Sequence, residues 1–197
     1  MKRRLAGPFS IALIAVAAAG CGASTPARFY TLSSTATPVG APPASDPVMV
    51  WPVTIPATVD QPQFVVQVAP NRVQVDEFNR WAAPLNEGIA CAVAGDLAVL
   101  LGTPDVIAGP LANFNPAYRV EIVVQRFESV RGEAALVEAV WLVRRTADGE
   151  TRSGHTLARE AVQSDDLSAL AVAHSRALAQ VSGDIATAIR TEASERH

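Results

Sequence analysis

Between residues 117 and 163 the chain alternates. In "AYRVEIVVQRFESV" (117–130), Tyr118, Val120, Ile122 and Val124 fall on one side of a pleated strand, and Arg119, Glu121 and Gln125 fall on the other. "EAALVEAVWLVRRT" (133–146) follows across Arg131-Gly132 and places Ala135, Val137, Ala139, Trp141 and Val143 on one face. Asp148-Gly149 is a strong hairpin signal, and "TRSGHTLAREAVQ" (151–163) comes after it. Three strands joined in this way form an antiparallel meander, whose apolar face must be covered.

Two segments have the pattern to cover it. Trp81, Leu85, Ile89, Val93, Leu97 and Leu100 recur at helical spacing, which predicts a helix from about Phe78 to Leu101, ended by Gly102 and Pro104. Cys91 falls opposite that stripe, among Glu87, Gly95 and Ala98, a face of small residues open to a second helix or to solvent. Leu167, Leu170, His174, Leu178, Val181, Ile185 and Ile189 form a second stripe, with Ser164 or Asp165 as the cap of a helix running to about Arg190. Earlier in the chain, "RFYTL" (28–32), "VMVWPVTIP" (48–56) and "QFVVQVAPNRVQVDEF" (63–78) read as strands. Pro52 marks an edge or a bulge, and Pro70-Asn71 marks a turn. "PDVIAGP" is a short strand or extended link, and residues 33–47, rich in Pro, Ala and Ser, read as a loop. The expected fold is α+β: an antiparallel or mixed sheet with two long amphipathic helices packed on it, forming one domain over residues 28–197.

The first twenty residues are different in kind. Lys2, Arg3 and Arg4 precede an uncharged run to Gly20, whose most apolar part, Ile11 to Ala19, is too short to span a bilayer. This is the layout of a secretory signal over residues 1–20. Without it, thirteen cationic residues, all arginine, face nineteen acidic ones, for a net charge of −6. That balance speaks against a nucleic-acid partner and against a polybasic patch for anionic lipid headgroups.

The residues offer little chemistry. His155, His174 and His197 are far apart and form no metal motif; His174 sits on an apolar stripe and reads as a core histidine. Ser153 and His155 would share a strand face, but no nucleophile-elbow pattern surrounds them. No phosphate-binding glycine loop is present, and lysine is absent after residue 20. Asp165-Asp166 reads as a helix start rather than a metal site, and no cofactor is expected. Trp51, Trp81 and Trp141 each fall on an expected core face, with the lining of a lipid chain as the alternative role. Of the two cysteines, Cys91 reads as a small filler residue in a helix.

Cys21 has a more specific context. The run Ala18-Ala19-Gly20-Cys21 resembles the lipobox of bacterial lipoproteins, although that family more often has Leu where Ala18 stands. The resemblance implies cleavage between Gly20 and Cys21, a diacylglyceryl group on the Cys21 thiol and acylation of the new amino terminus. Two or three chains would anchor the protein where one would not. Gly22, in place of the aspartate that retains such proteins at the inner membrane, implies the outer membrane. Residues 21–27 would then be a short lipidated tether.

Several segments in order extend the resemblance. After the lipobox come "FYTL" (29–32), "VTIPATVDQPQFV", Trp81 with Pro84-Leu85, "YRVEIVVQRFES", "VEAVWLV" and a C-terminal amphipathic helix. Together they resemble the ABC-type transport auxiliary lipoproteins, the PqiC/YmbA family. The resemblance implies a periplasm-facing outer-membrane lipoprotein that accompanies an MCE-domain protein and an ABC permease in lipid movement between membranes, and that is not an enzyme. It marks Phe29, Tyr30, Leu32, Trp81, Pro84 and Leu85 as structural or partner-contact positions. It also makes self-association an expectation, though no feature of the sequence demands it. A lipid carrier with its own apolar pocket, of roughly 300 Å³ or more, stays open at this point.

Overall fold

The computed structural model describes residues 25–44 and 46–195. Gly20, Cys21 and His197 lie outside the described residues. In chain order the elements are β1 (Arg28–Tyr30), β2 (Val48–Thr54), β3 (Gln63–Ala69), β4 (Arg72–Trp81), α1 (Leu85–Leu101), β5 (Val106–Ala108), β6 (Tyr118–Val130), β7 (Ala134–Arg145), β8 (Thr151–Ala161) and α2 (Leu167–Ser194). They form a mixed eight-stranded sheet with two helices, an α+β fold as the periodicities predict.

The meander is the spine of the sheet. β6 and β7 pair antiparallel from Tyr118↔Arg145 to Val130↔Ala134, and β7 pairs with β8 from Ala134↔Ala161 to Arg144↔Thr151. A bulge between Val124 and Arg126 reverses the parity of β6, so the buried set passes from Tyr118, Val120, Ile122 and Val124 to Phe127 and Ser129. The other edge of β6 is shared. β2 runs parallel to its first half, and β3 meets its end at Gln67↔Val130. β4 pairs antiparallel with β3 and parallel with β1, which places β1 at the sheet margin.

Pro52 sits within an interior strand, between β6 and β5, and Trp51-Pro52 is a cis peptide bond. The missing amide is accommodated because β5 pairs only with Val48–Val50 and the β2–β6 register breaks between Val50 and Val53. That break also corrects the expectation for Trp51, whose side chain is 37% exposed. Trp81 and Trp141 are buried as expected.

Both helices pack on one face of the sheet, and every residue of the two predicted stripes is buried. Helix α1, however, begins at Leu85 and not near Phe78. Trp81 is the last residue of β4, and Pro84 starts the helix at φ −49°, the angle its ring imposes. Trp81 is in phase with the helical stripe only because both elements bury the same side. At the other end Gly102 adopts φ 70° and its amide donates to Ala98 O. The cap of α2 is Asp166, one residue beyond the predicted position, and its carboxylate accepts from Ser168 N at 3.1 Å. Those backbone and side-chain hydrogen bonds from Ser168 hold the Asp166 carboxyl below its ordinary range.

Candidate functional site

The segment expected as a plain loop, residues 33–47, is bound along the helix pair over residues 33–44. Ser33 N donates to Ser175 Oγ at 3.2 Å, and Thr35 Oγ1 donates to the backbone oxygen of Ser175. Ser34 Oγ, Thr35 N and Ala36 N donate to one atom, Asp96 Oδ1, at 2.8, 2.8 and 2.9 Å. Ser182 Oγ of α2 reaches Asp96 Oδ2 at 3.2 Å. Further along, Ala44 N donates to Leu101 O, and Arg190 donates to Pro42 O and Leu100 O. Asp96 is fully buried, a position a carboxylate tolerates only when its oxygens are hydrogen-bonded.

The strap crosses the small-residue face of α1 at Gly95, while Cys91 on the same face stays exposed. A Cβ on Gly95 would sit 2.9 Å from Ser34 Cβ, and one on Gly88 would be 3.8 Å from Leu32 Cδ1. Close passage of the strap explains glycine at position 95. Sequence reasoning missed Asp96 as a partner. Its one signal is being the lone acid between Gly88 and Leu101 in a run of otherwise uncharged residues.

Where the strap begins, the family-motif positions converge. Tyr30 OH donates to Asn79 Oδ1 at 2.8 Å, and its ring meets Phe64 edge-on at 5.6 Å. Phe64 stacks on Trp81 at 4.5 Å, and Trp81 meets both Phe127 and His174 edge-on. Phe127 and the imidazole of His174 are stacked at 3.8 Å. This chain of rings ties β1 to the centre of the core. Above it, Tyr30, Leu32, Trp81, Leu85, Gly88 and Cys91 line an open apolar cleft of about 210 Å³. Four of the six motif positions thus share one cleft. Pro84 accepts from Gly88 N as the helix start, and Phe29 points away, 63% exposed.

Three larger depressions, of about 350, 320 and 370 Å³, lie elsewhere on the surface. The first is lined by Gln67, Arg72, Gln125, Arg126 and Glu128 beside Val59 and Val65, and it opens where β3 and β6 diverge. Its rim carries polar side chains, with Val73 and Phe127 also in the lining.

The titratable groups are structural. His174 is completely buried, and burial lowers its pKa from 6.5 to about 3, so the ring is neutral at physiological pH. Its Nε2 is hydrogen-bonded to Ser129 Oγ at 2.8 Å, while Nδ1 has no hydrogen-bond partner among the described residues. His155 pairs with Glu138 at 2.9 Å across the exposed sheet face, not with Ser153. Glu150, Glu192 and Glu195 approach one another, but Arg145 and Arg152 lie among them and bond Glu192 at 3.2 and 2.9 Å, making a salt-bridge network that pins the β7–β8 turn to the end of α2. Cys91 is an exposed free thiol.

Comparison with known proteins places this architecture. Residues 30–186 match the sequence profile of the ABC-type transport auxiliary lipoprotein component, and the chain belongs to that family. The family is an auxiliary part of ABC-type transport. Among solved structures, the chain resembles protein XCC0632 from Xanthomonas campestris, a member of family DUF330, with TM-score 0.72 and 23% identity over 87% of this chain and 100% of that one. A second solved structure, of an uncharacterized protein, matches with TM-score 0.69 and 19% identity over 84% of this chain and 99% of that one. At these identities the likeness concerns the fold. No curated protein matches the sequence. Among the described residues no helix is long and apolar enough to cross a membrane.

Proposed function

We propose that this protein is a lipid-anchored, periplasm-facing accessory subunit of an MCE/ABC-type lipid transport system, docking the transport machinery to the outer membrane through acyl chains on Cys21. The reading rests first on membership of the transport auxiliary family across residues 30–186. The observation that favours docking over carrying is the cleft. Tyr30, Leu32, Trp81 and Leu85 define an apolar recess of about 210 Å³, below the roughly 300–1,000 Å³ of pockets that enclose a ligand. A shallow apolar recess flanked by polar side chains is suited to receive a side chain of a partner protein.

Co-purification tests the docking role. The full chain, tagged at its C-terminus and extracted from native envelopes, should bring down an MCE-domain protein, and Leu32→Glu should abolish the capture without loss of folding. Recovery of bound phospholipid in stoichiometric amount, with no MCE-domain protein even after crosslinking, would instead establish the carrier. The anchor is tested by Cys21→Ala. Retention of that variant in the outer membrane after fractionation would remove the lipid from the account.

A further inference from the structure

The aromatic residue of the family motif that does not line the cleft is Phe29. Tyr30 and Trp81 are register partners whose side chains turn toward the helices, so the preceding partners, Phe29 and Arg80, turn to the opposite face of the sheet. Asn79 is on the inner side, bonded to Tyr30, which leaves Phe78 facing outward as well, 48% exposed. The β3–β4 register breaks between Arg80 and Asp76, so the alternation restarts: Asp76 pairs with inward Phe64, and Val75 and Val73, partners of Val65 and Gln67, fall on the outward side, both exposed. β1 covers only Asn79–Trp81 of β4, so this apolar row lies at the margin of the sheet, and its four side chains are exposed among the described residues. Four exposed apolar side chains in a row, two of them phenylalanine, are more than the scattered apolar residues of an ordinary surface.

The position of the row says what covers it. Phe29 is eight residues from Cys21, and eight residues reach at most about 29 Å when fully extended. A domain of this size is about 40 Å across. The tether is shorter than the domain, and it joins at the margin that carries Phe29 and Phe78. Resting on the reading that Cys21 is lipidated, we infer that Phe29 and Phe78, continued by Val75 and Val73, form the surface on which the domain seats against the lipid bilayer. Phenyl rings enter the boundary between headgroups and acyl chains, and an adjacent guanidinium, here Arg80, keeps its charge at headgroup level. Lysine is absent after residue 20, and the acids Asp76 and Glu77 lie on the same strand as Arg80, so the local charges do not make a polybasic patch and the contact is apolar and not electrostatic. It should therefore withstand high salt and should not require anionic lipid.

The test uses the full, natively processed chain reconstituted in phosphatidylethanolamine/phosphatidylcholine vesicles containing brominated acyl chains. Phe29→Trp and Phe78→Trp are compared with Val123→Trp, on the outward sheet face well away from the tether. The expected result is a blue-shifted added emission that the bromolipid quenches for the first two and leaves unchanged for the third, at low and at high salt. Vesicles that float with protein but leave the Phe29→Trp and Phe78→Trp signals unquenched would overturn the seating surface while the anchor stands. The row would then face a partner protein or a second copy. Failure of the protein to float at all would overturn the anchor, and the inference with it.

Discussion

Asp96 on α1 and Ser34 on the strap are hydrogen-bonded at 2.8 Å across 62 residues of sequence. Through the same carboxylate, Thr35 and Ala36 of the strap and Ser182 of α2 are gathered at one point. Asp96→Ala removes the shared acceptor and leaves two strap amides and two hydroxyls to find others. Hydrogen bonds to a charged group contribute about 1.5–3 kcal/mol each at most, and they are not additive here. We expect a loss of about 3 kcal/mol in urea unfolding, with proteolytic cleavage appearing first within residues 33–44. A variant that unfolds earlier but keeps the strap resistant to protease would show that Asp96 serves the helix pair alone.

The buried imidazole gives the fold a pH dependence whose sign follows from its surroundings. Burial, which disfavours the cation, holds the His174 pKa at about 3 in the folded state against 6.5 in the unfolded one. The unfolded state therefore binds the proton first. The stability contributed is complete above pH 6.5 and is lost as pH falls from there toward 3. At pH 5 the loss is about 2 kcal/mol, from 1.36 kcal/mol per pH unit below the unfolded pKa. Denaturation midpoints recorded between pH 7 and 5 should decline by that amount, in a range above the titration of the carboxylates. His174→Phe should flatten the decline, although it leaves the buried Ser129 hydroxyl without its partner. A wild-type midpoint that does not move over this range would contradict the neutral buried ring.

How much of this was legible in the sequence depends on the range of the interaction. The meander and α2 were legible because burial on one side imposes a period of 2 or 3.6, and Val137, Trp141, Leu178 and Ile185 obey it. The start of α1 was misplaced because Trp81, at the end of a strand, buries the same side as Leu85, and Pro84 between them was the better signal. Trp51 defeated the alternation rule because the register of β2 breaks beside Pro52. The strap was illegible: its bonds to Asp96 and Ser175 join residues 60 to 142 positions apart, and a segment rich in Pro, Ala and Ser carries no period. The cleft could be anticipated only through the family motif, since no local pattern says that Leu32 and Leu85 meet.

Gly154 is a close-approach glycine. It is the register partner of Trp141, whose ring occupies the space a Cβ would need, and the indole Nε1 continues to Thr156 Oγ1 at 3.0 Å, which donates to Asp184 Oδ2 at 2.6 Å. Any side chain at 154 must push the indole off this chain of hydrogen bonds. Gly154→Val should cost about 3 kcal/mol in chemical denaturation, the upper range for overpacking. Combining it with Trp141→Leu should recover part of the loss, since the two changes act on the same space. Strict additivity in the double-mutant cycle would mean that the two residues do not compete for that space.

Cys91 reports on both the anchor and the cleft. It is the exposed thiol on the rim of the recess formed by Tyr30, Leu32, Trp81 and Leu85, and the chain has one other cysteine, Cys21. If the Cys21 sulfur carries the diacylglyceryl group as a thioether, the processed protein contains a single titratable thiol, reactive without denaturation. A second thiol appearing in denaturant would show Cys21 to be unmodified. Because Cys91 lies beside the motif residues, a bulky maleimide coupled to it should fill the recess and abolish co-purification of the proposed MCE-domain partner, whereas the small methylthio adduct should leave it. Capture undiminished by the bulky label would move the docking surface away from this cleft.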